Sequence, residues 1–332
     1  MPATNLCDTK ELTMPSNPPA PAPSERLITD LIQALDNLFG LHPGFRPVHA
    51  KGVICAGSFT PSAEAANLTR APHASRPSTP VIVRFSNFAG IPTIPDNDPG
   101  LAAPRGFAVR FDLAPHVHTD IIGHSENGFP VRTGEEFVEL ARALAASGPT
   151  APKPTALDKY LPSHPIALHF LTALKPFPTS FARESFFGVS AYKFTNQQNK
   201  SQFGRFKILP ESGTEYLSNE AAAKKSPNYL CDEIAERLSK SPAKIRIAVQ
   251  LAGEGDNVND ATNVWPDSRP EIDFGTVKVS KFANQNDPEL RKIIFDPIPR
   301  VDGIEPSNDP LIAVRAALYL VTGRRRRAAI SS

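Results

Sequence analysis

Apolar side chains between residues 24 and 40 fall at Leu27, Ile28, Leu31, Ile32, Leu35, Leu38 and Phe39, a spacing that lines one face of a helix. Ser24 offers an N-cap oxygen ahead of that face and Gly40 a stop behind it. A second helix is predicted from Thr133, because Thr133-Gly134-Glu135-Glu136 reads as a capping box before Phe137, Leu140, Ala141 and Leu144, with an end near Gly148. A third begins at Asp309-Pro310, where Asp caps and Pro suits the first helical position, and runs to Gly323. Short β-type runs stand between them at 80–85, 106–112, 203–209, 244–251 and 276–281. Pro, Gly and Asn separate these runs rather than regular crossover helices, so the pattern predicts an α+β fold built on an antiparallel sheet or barrel.

Composition narrows the class without naming it. The 332 residues are 40% hydrophobic and 21% charged, enough to bury a large core, and 35 prolines, about twice the usual ~5% share, speak against a helical bundle. Lysine and arginine number 36 against 34 acids, and the net charge of +2 gives no overall reason to expect a nucleic-acid partner. Residues 1–23 are polar and rich in Pro and Ala and predict a flexible tail, followed by a folded core over 24–327 and a short tail over 328–332. The three cysteines, Cys7, Cys55 and Cys231, form no C-x-x-C pair. No apolar run reaches the ~18 residues of a membrane span, and the first residues lack the basic and apolar regions of a secretory signal. A soluble, intracellular protein is expected.

Arg315 and Tyr319 lie four apart on the last predicted helix, so they share a face and the guanidinium can reach the phenol oxygen. A fixed cation beside a phenol favours the phenolate, and tyrosinate is an axial ligand of ferric haem. The same spacing also describes a helix with one solvated Arg and one core Tyr, so the pair needs support elsewhere. It comes from RPVHAKG at 46–52, TPVIVRFS at 79–86 and PRGFAVRF at 104–111. With YKFTNQQNKSQFGRFKI, NVWPDSRPEIDFGTVKV and IIFDPIPRVDGIEPSNDPLIAVRAALY following in order, residues 40–327 closely resemble the core of the catalase family.

The resemblance implies a catalase-like antiparallel β-barrel with flanking α-helices and a haem b buried in it. It implies His49 on the distal side and Tyr319 as the axial ligand of the haem iron, with Arg315 beside it. A neutral imidazole there can take a proton from a peroxide and return it to the leaving oxygen. Ser86 matches the serine that hydrogen-bonds the other imidazole nitrogen, and Arg46, Arg84 and Arg326 match the arginines that bind the haem propionates. Arg326 also belongs to the run Arg324–Arg327, which equally describes a solvated basic tail. Val48, Phe88 and Phe129 are implied to face the macrocycle, although core packing alone would account for all three.

The chain departs from the family pattern in several places. Where catalases carry a distal asparagine, an ungapped match puts His124; either His124 serves in its place or a local shift brings in Asn127, and a surface-loop role for both stays open. The channel aspartate of catalases corresponds to Ala103. His116, His118, Asp120 and His124 have metal-ligand character, while exposed polar residues between two strands would give the same pattern. The chain stops 13 residues after Tyr319, whereas catalases carry a long N-terminal arm and a C-terminal helical domain, so the resemblance is to the small catalase-related peroxidases. It implies a haem-dependent peroxidase that takes hydrogen peroxide or an organic hydroperoxide and a small organic electron donor, with weak catalase activity, and it leaves a homo-oligomer open. Two rivals use the same residues: a lipid-hydroperoxide-transforming enzyme of the allene-oxide-synthase type that needs no donor, and a non-catalytic haem-binding carrier or sensor.

Overall fold

The computed structural model describes residues 21–285 and 287–331, so most of the expected N-terminal tail, with Cys7, and the last residue, Ser332, lie outside the described residues. Helix α1 (Glu25–Phe39) starts at Ser24, whose side chain accepts from the Leu27 amide, and stops at Gly40 with φ +83°. Strands β1 (Gly52–Pro61), β2 (Thr79–Ser86), β3 (Gly106–Ala114) and β4 (Val117–His124) follow as an antiparallel meander. Helix α2 (Gly134–Ala145) is capped by Thr133, which accepts from the Glu136 amide. The Glu136 carboxylate reaches back to the Arg132 amide, one residue ahead of the one a capping box would use. Then come β5 (Phe186–Phe187), β6 (Ser201–Pro210), helix α3 (Tyr229–Lys240), β7 (Ala243–Leu251), β8 (Glu271–Phe282) and helix α4 (Pro310–Ser331).

The eight strands close on themselves in chain order, because β6 pairs with β7, β7 with β8 and β8 back with β1. Two short strands, at 192–195 and 304–306, extend the sheet from β6 to ten strands. Strict alternation sorts each strand between two environments. On β2, Val81, Val83 and Phe85 enter the barrel; on β3, Phe107, Val109 and Phe111 do the same. Phe59, Phe186, Phe206 and Phe274 join them in a continuous aromatic and aliphatic core. Outside the barrel α1, α2 and α4 pack together through Leu31, Leu35, Val138, Val314 and Leu318.

Each predicted strand is present with its ends moved by a few residues, but β1, β4 and β5 escaped the pattern reading. The strand at 117–124 carries no plain apolar alternation because the polar His118, Asp120 and His124 occupy the outer-face positions of β4, while Thr119 and Ile121 alternate with them and are buried. Two expectations are corrected. The haem was expected inside the barrel, but aromatic side chains fill that space. The last helix was expected to stop at Gly323 and leave a tail at 328–332; it continues through Ser331. Gly323 is there for closeness rather than termination, since a Cβ at that position would lie 2.3 Å from Ile294 Cδ1. Beyond it Arg325 pairs with Asp36 at 2.7 Å and Arg326 donates to the carbonyls of Arg291 and Ile293, which tie the last turns down. No helix among the described residues is long and apolar enough to cross a membrane.

Candidate active site

A cavity of about 850 Å³ lies between the outer faces of β2–β4 and helices α1, α2 and α4. Of the residues singled out from sequence, Arg46, Val48, His49, Arg84, Ser86, Phe88, His124, Phe129, Arg315, Tyr319 and Arg326 all reach its wall. Asn127 is the exception, lying beyond β4 and off the wall. Outward alternation explains how the barrel contributes: Arg84 and Ser86 on β2, Ala108 on β3, and Ile122 and His124 on β4 are the partners in alternation of the core residues.

His49 sits just before β1 with φ +58°, a backbone region that residues with a Cβ rarely adopt. Its amide donates to the Phe88 carbonyl at 2.6 Å, and its ring meets the Phe88 ring edge-on at 5.9 Å between centroids. Nδ1 lies 2.9 Å from the Asn87 carbonyl and 3.2 Å from Ser86 Oγ. A carbonyl can only accept, so Nδ1 carries the hydrogen and the Nε2 lone pair is left free. Burial, reinforced by Arg84 and His124, pushes the imidazole pKa down to about 3, against the pull of the Asn87 carbonyl. The ring is therefore a neutral acceptor at neutral pH.

His124 has the complementary polarity. Its Nδ1 accepts from the Glu126 amide at 3.3 Å, so the neutral ring carries its hydrogen on Nε2. That Nε2 is buried without a partner among the described residues. Burial and then Arg315 push its pKa down to about 3 as well. The cavity thus presents two neutral imidazoles, one with a bare nitrogen and one with an unengaged N–H.

Tyr319 comes from α4, one turn after Arg315, whose Nε donates to the phenol oxygen at 3.3 Å with the guanidinium carbon 5.7 Å from the ring centroid. Burial works against the Arg315 charge, but Tyr319 and Tyr192 outweigh it and hold the guanidinium above its ordinary pKa. At another part of the wall Arg46, Arg84 and Arg326 gather with no acidic partner among the described residues. Arg46 and Arg326 both donate to the Ile293 carbonyl, and Arg84 donates to the His49 carbonyl at 2.7 Å. Burial, then Arg84 and Arg326, press the Arg46 pKa well below its ordinary value; burial and Arg326 bring Arg84 to about 9. Three buried guanidiniums without counter-ions suit a ligand that brings carboxylates of its own.

Among the described residues the cavity has no Asp or Glu on its wall, is lined mainly by apolar side chains, and adds a phenol and two neutral imidazoles to those guanidiniums. These features fit a haem: apolar faces, two propionates and an iron that takes an oxygen ligand. Residues 43–330 match the catalase family model. The chain belongs to the catalase family. It is 33% identical over 298 residues to a catalase-related peroxidase of Mycolicibacterium paratuberculosis, covering 89% of this chain and 93% of that protein. A catalase-related peroxidase of Synechococcus elongatus is 31% identical, with 89% and 87% covered. The solved structure of catalase A from Saccharomyces cerevisiae superposes with a TM-score of 0.76 at 21% identity, over 85% of this chain and 61% of that one, and so shares the fold. Catalase-family membership makes the chain a haem-dependent oxidoreductase of the peroxidase/catalase type and implies a haem cofactor.

Two features lay beyond sequence reasoning. The nearer partner of His49 is a main-chain carbonyl, which no side-chain motif records. Gly106 makes room for the ring, since a Cβ there would lie 2.7 Å from His49 Nδ1 and 2.6 Å from Ser86 Oγ; its place in PRGFAVRF was the available signal. Of His116, His118, Asp120 and His124, for which a metal site and exposed polar residues were both open readings, Asp120 has its carboxylate held by Arg110 at 3.0 and 2.9 Å, and no metal-binding cluster forms among the described residues.

Proposed function

We propose that the protein reduces hydrogen peroxide or an organic hydroperoxide at the expense of a small organic donor, using a haem b that the cavity lined by Tyr319 and His49 would hold. The observation that carries this reading is a neutral His49 with Nε2 bare in the same cavity as an arginine-partnered Tyr319. Tyr319 would ligate the iron, and Arg315 would favour its anionic form. Arg46, Arg84 and Arg326 would bind the propionates, while Val48, Phe88 and Phe129 would cover the macrocycle.

The haem, when bound, supplies the electrons that cleave the peroxide O–O bond. His49 Nε2 would take the proton from one peroxide oxygen and return it to the other, which would leave as water or as an alcohol. The Asn87 carbonyl and Ser86 keep the ring in the tautomer that can do so. The His124 Nε2–H supplies the donor that an asparagine amide gives in catalases, which leaves Asn127 without a part in the chemistry. Two electrons and two protons from the donor complete the cycle, so one peroxide yields water plus water or alcohol.

The test is peroxide consumption by the haem-loaded protein with and without a phenolic donor. The donor should accelerate it, and His49→Ala should slow it by about 100-fold or more, the usual worth of general acid–base catalysis. Equal rates with and without every donor tested would overturn the peroxidase reading.

A further inference from the structure

Among the described residues the walls of the cavity carry five cationic side chains and no carboxylate. Four are the arginines described above. The fifth, Lys175, lies in the wall segment 170–177, where Phe170, Leu171, Leu174 and Phe177 make the surroundings apolar. Leu174 is 82% exposed, so this segment joins the cavity to solvent through an apolar edge. Lys175 Nζ donates to the carbonyls of Phe170 at 2.6 Å and Ala173 at 3.2 Å, and lies 5.2 Å from the Phe170 ring centroid. An ammonium has three donors, so one remains. Burial lowers its pKa, and Glu126 is the acid that opposes this; Glu126 is off the cavity wall, is not within ion-pair distance, and is itself pushed toward the neutral form by burial, against Lys175 and His169. The aspartate position of the catalase channel is Ala103 here, also on the wall, so among the described residues no wall carboxylate competes for the ammonium.

We infer that Lys175 selects an apolar organic acid: a compact hydrocarbon or aromatic body in the apolar segment with its carboxylate on Nζ. A half-buried ammonium beside an apolar wall strengthens a charge-assisted hydrogen bond to a carboxylate, and the same wall repays the burial of hydrocarbon. The inference rests on the peroxidase reading for what happens next, because the acid is either the organic hydroperoxide or the electron donor.

The haem-loaded protein is titrated calorimetrically with decanoate and with decanamide, which share a chain and differ in charge. Decanoate should bind about tenfold more tightly, and the ratio should fall to about one in Lys175→Met and be kept in Lys175→Arg. Lys175→Gln retains a donor for the two carbonyls and replaces Lys175→Met where that variant does not fold. Two kinetic series then identify the source. In one, a ten-carbon alkyl hydroperoxide is compared with and without a terminal carboxylate; in the other, 3-(4-hydroxyphenyl)propanoate is compared with its methyl ester at fixed hydrogen peroxide. A lower KM for the acid, abolished in Lys175→Met, should occur in one series and name the role. Equal affinity of decanoate and decanamide in the wild type, or a preference that survives Lys175→Met, overturns the inference. Binding selectivity with no oxidation of either phenol leaves the inference standing and removes the peroxidase reading.

Discussion

His49 Nδ1 stands 2.9 Å from the main-chain oxygen of Asn87, and this one contact fixes which nitrogen of the ring carries the proton. Asn87 is itself held, since its side-chain amide donates to Asp96 at 2.7 Å. Asp96 is fully buried and also accepts from Lys51 at 2.8 Å and from the Leu230 amide at 2.8 Å. The orientation of the His49 imidazole therefore depends on a carboxylate that never reaches the cavity wall.

Replacing Asp96 with Ala takes the carboxylate from the Lys51 ammonium, whose side chain is only 10% exposed, and leaves it the carbonyls of Ile94 and Pro227. Breaking one partner of such a pair costs about 3–5 kcal/mol. Urea unfolding of the apoprotein should show a loss of this size. A change within 1 kcal/mol, on the scale of an exposed pair, would mean that the Asp96 network holds nothing in place.

The Cβ introduced by Gly106→Ala would meet both Ser86 Oγ and His49 Nδ1 inside contact distance, and the ring is what can move. A displacement of about 1 Å at a reacting group costs on the order of 100-fold in rate. Donor oxidation by Gly106→Ala should fall accordingly while haem is retained. Wild-type turnover in that variant would show that the ring position is not set by this glycine.

His49, His73 and His124 all have folded-state pKa values near 3, lowered chiefly by burial from an ordinary value of 6.5. Between those limits the unfolded chain takes up protons that the folded chain refuses. Stability from this source is complete above pH 6.5 and is lost as the pH falls toward 3. Peroxide turnover, which needs the free base of His49, should show no inflection near 6.5, and a pH–rate profile from 5 to 8 reads this directly. A fall of activity centred near 6.5 would mean that His49 titrates as an exposed imidazole.

Arg46 gives up one of three unpaired guanidiniums when changed to Met. A charged hydrogen bond to a propionate is worth about 1.5–3 kcal/mol, so the haem dissociation constant should rise about 10–100-fold. Spectroscopic titration of the apoprotein measures it. Unchanged affinity would assign Arg46 to the Ile293 carbonyl alone.

Much of this was legible in the chain because helices and strands announce themselves through spacing. Ser24, Thr133 and Asp309 each cap the helix they were expected to cap, the last through its carboxylate and the Leu311 amide. Barrel closure was not legible, since pairing between β8 and β1 joins residues more than 200 positions apart, and no local pattern encodes it. Gly323 misled because a glycine that ends a helix and one that admits a neighbour look alike in sequence; here the neighbour is Ile294. That His124 rather than Asn127 reaches the cavity wall needed the end of β4, where outward alternation delivers it there.

The central claim is tested most directly by the visible spectrum of the haem-loaded protein beside that of Tyr319→Phe, each followed on adding hydrogen peroxide. A high-spin ferric spectrum of the tyrosinate type in the wild type, absent from Tyr319→Phe, with a peroxide-generated change that a phenolic donor reverses, is the predicted result. A spectrum indifferent to the loss of the Tyr319 hydroxyl would contradict it.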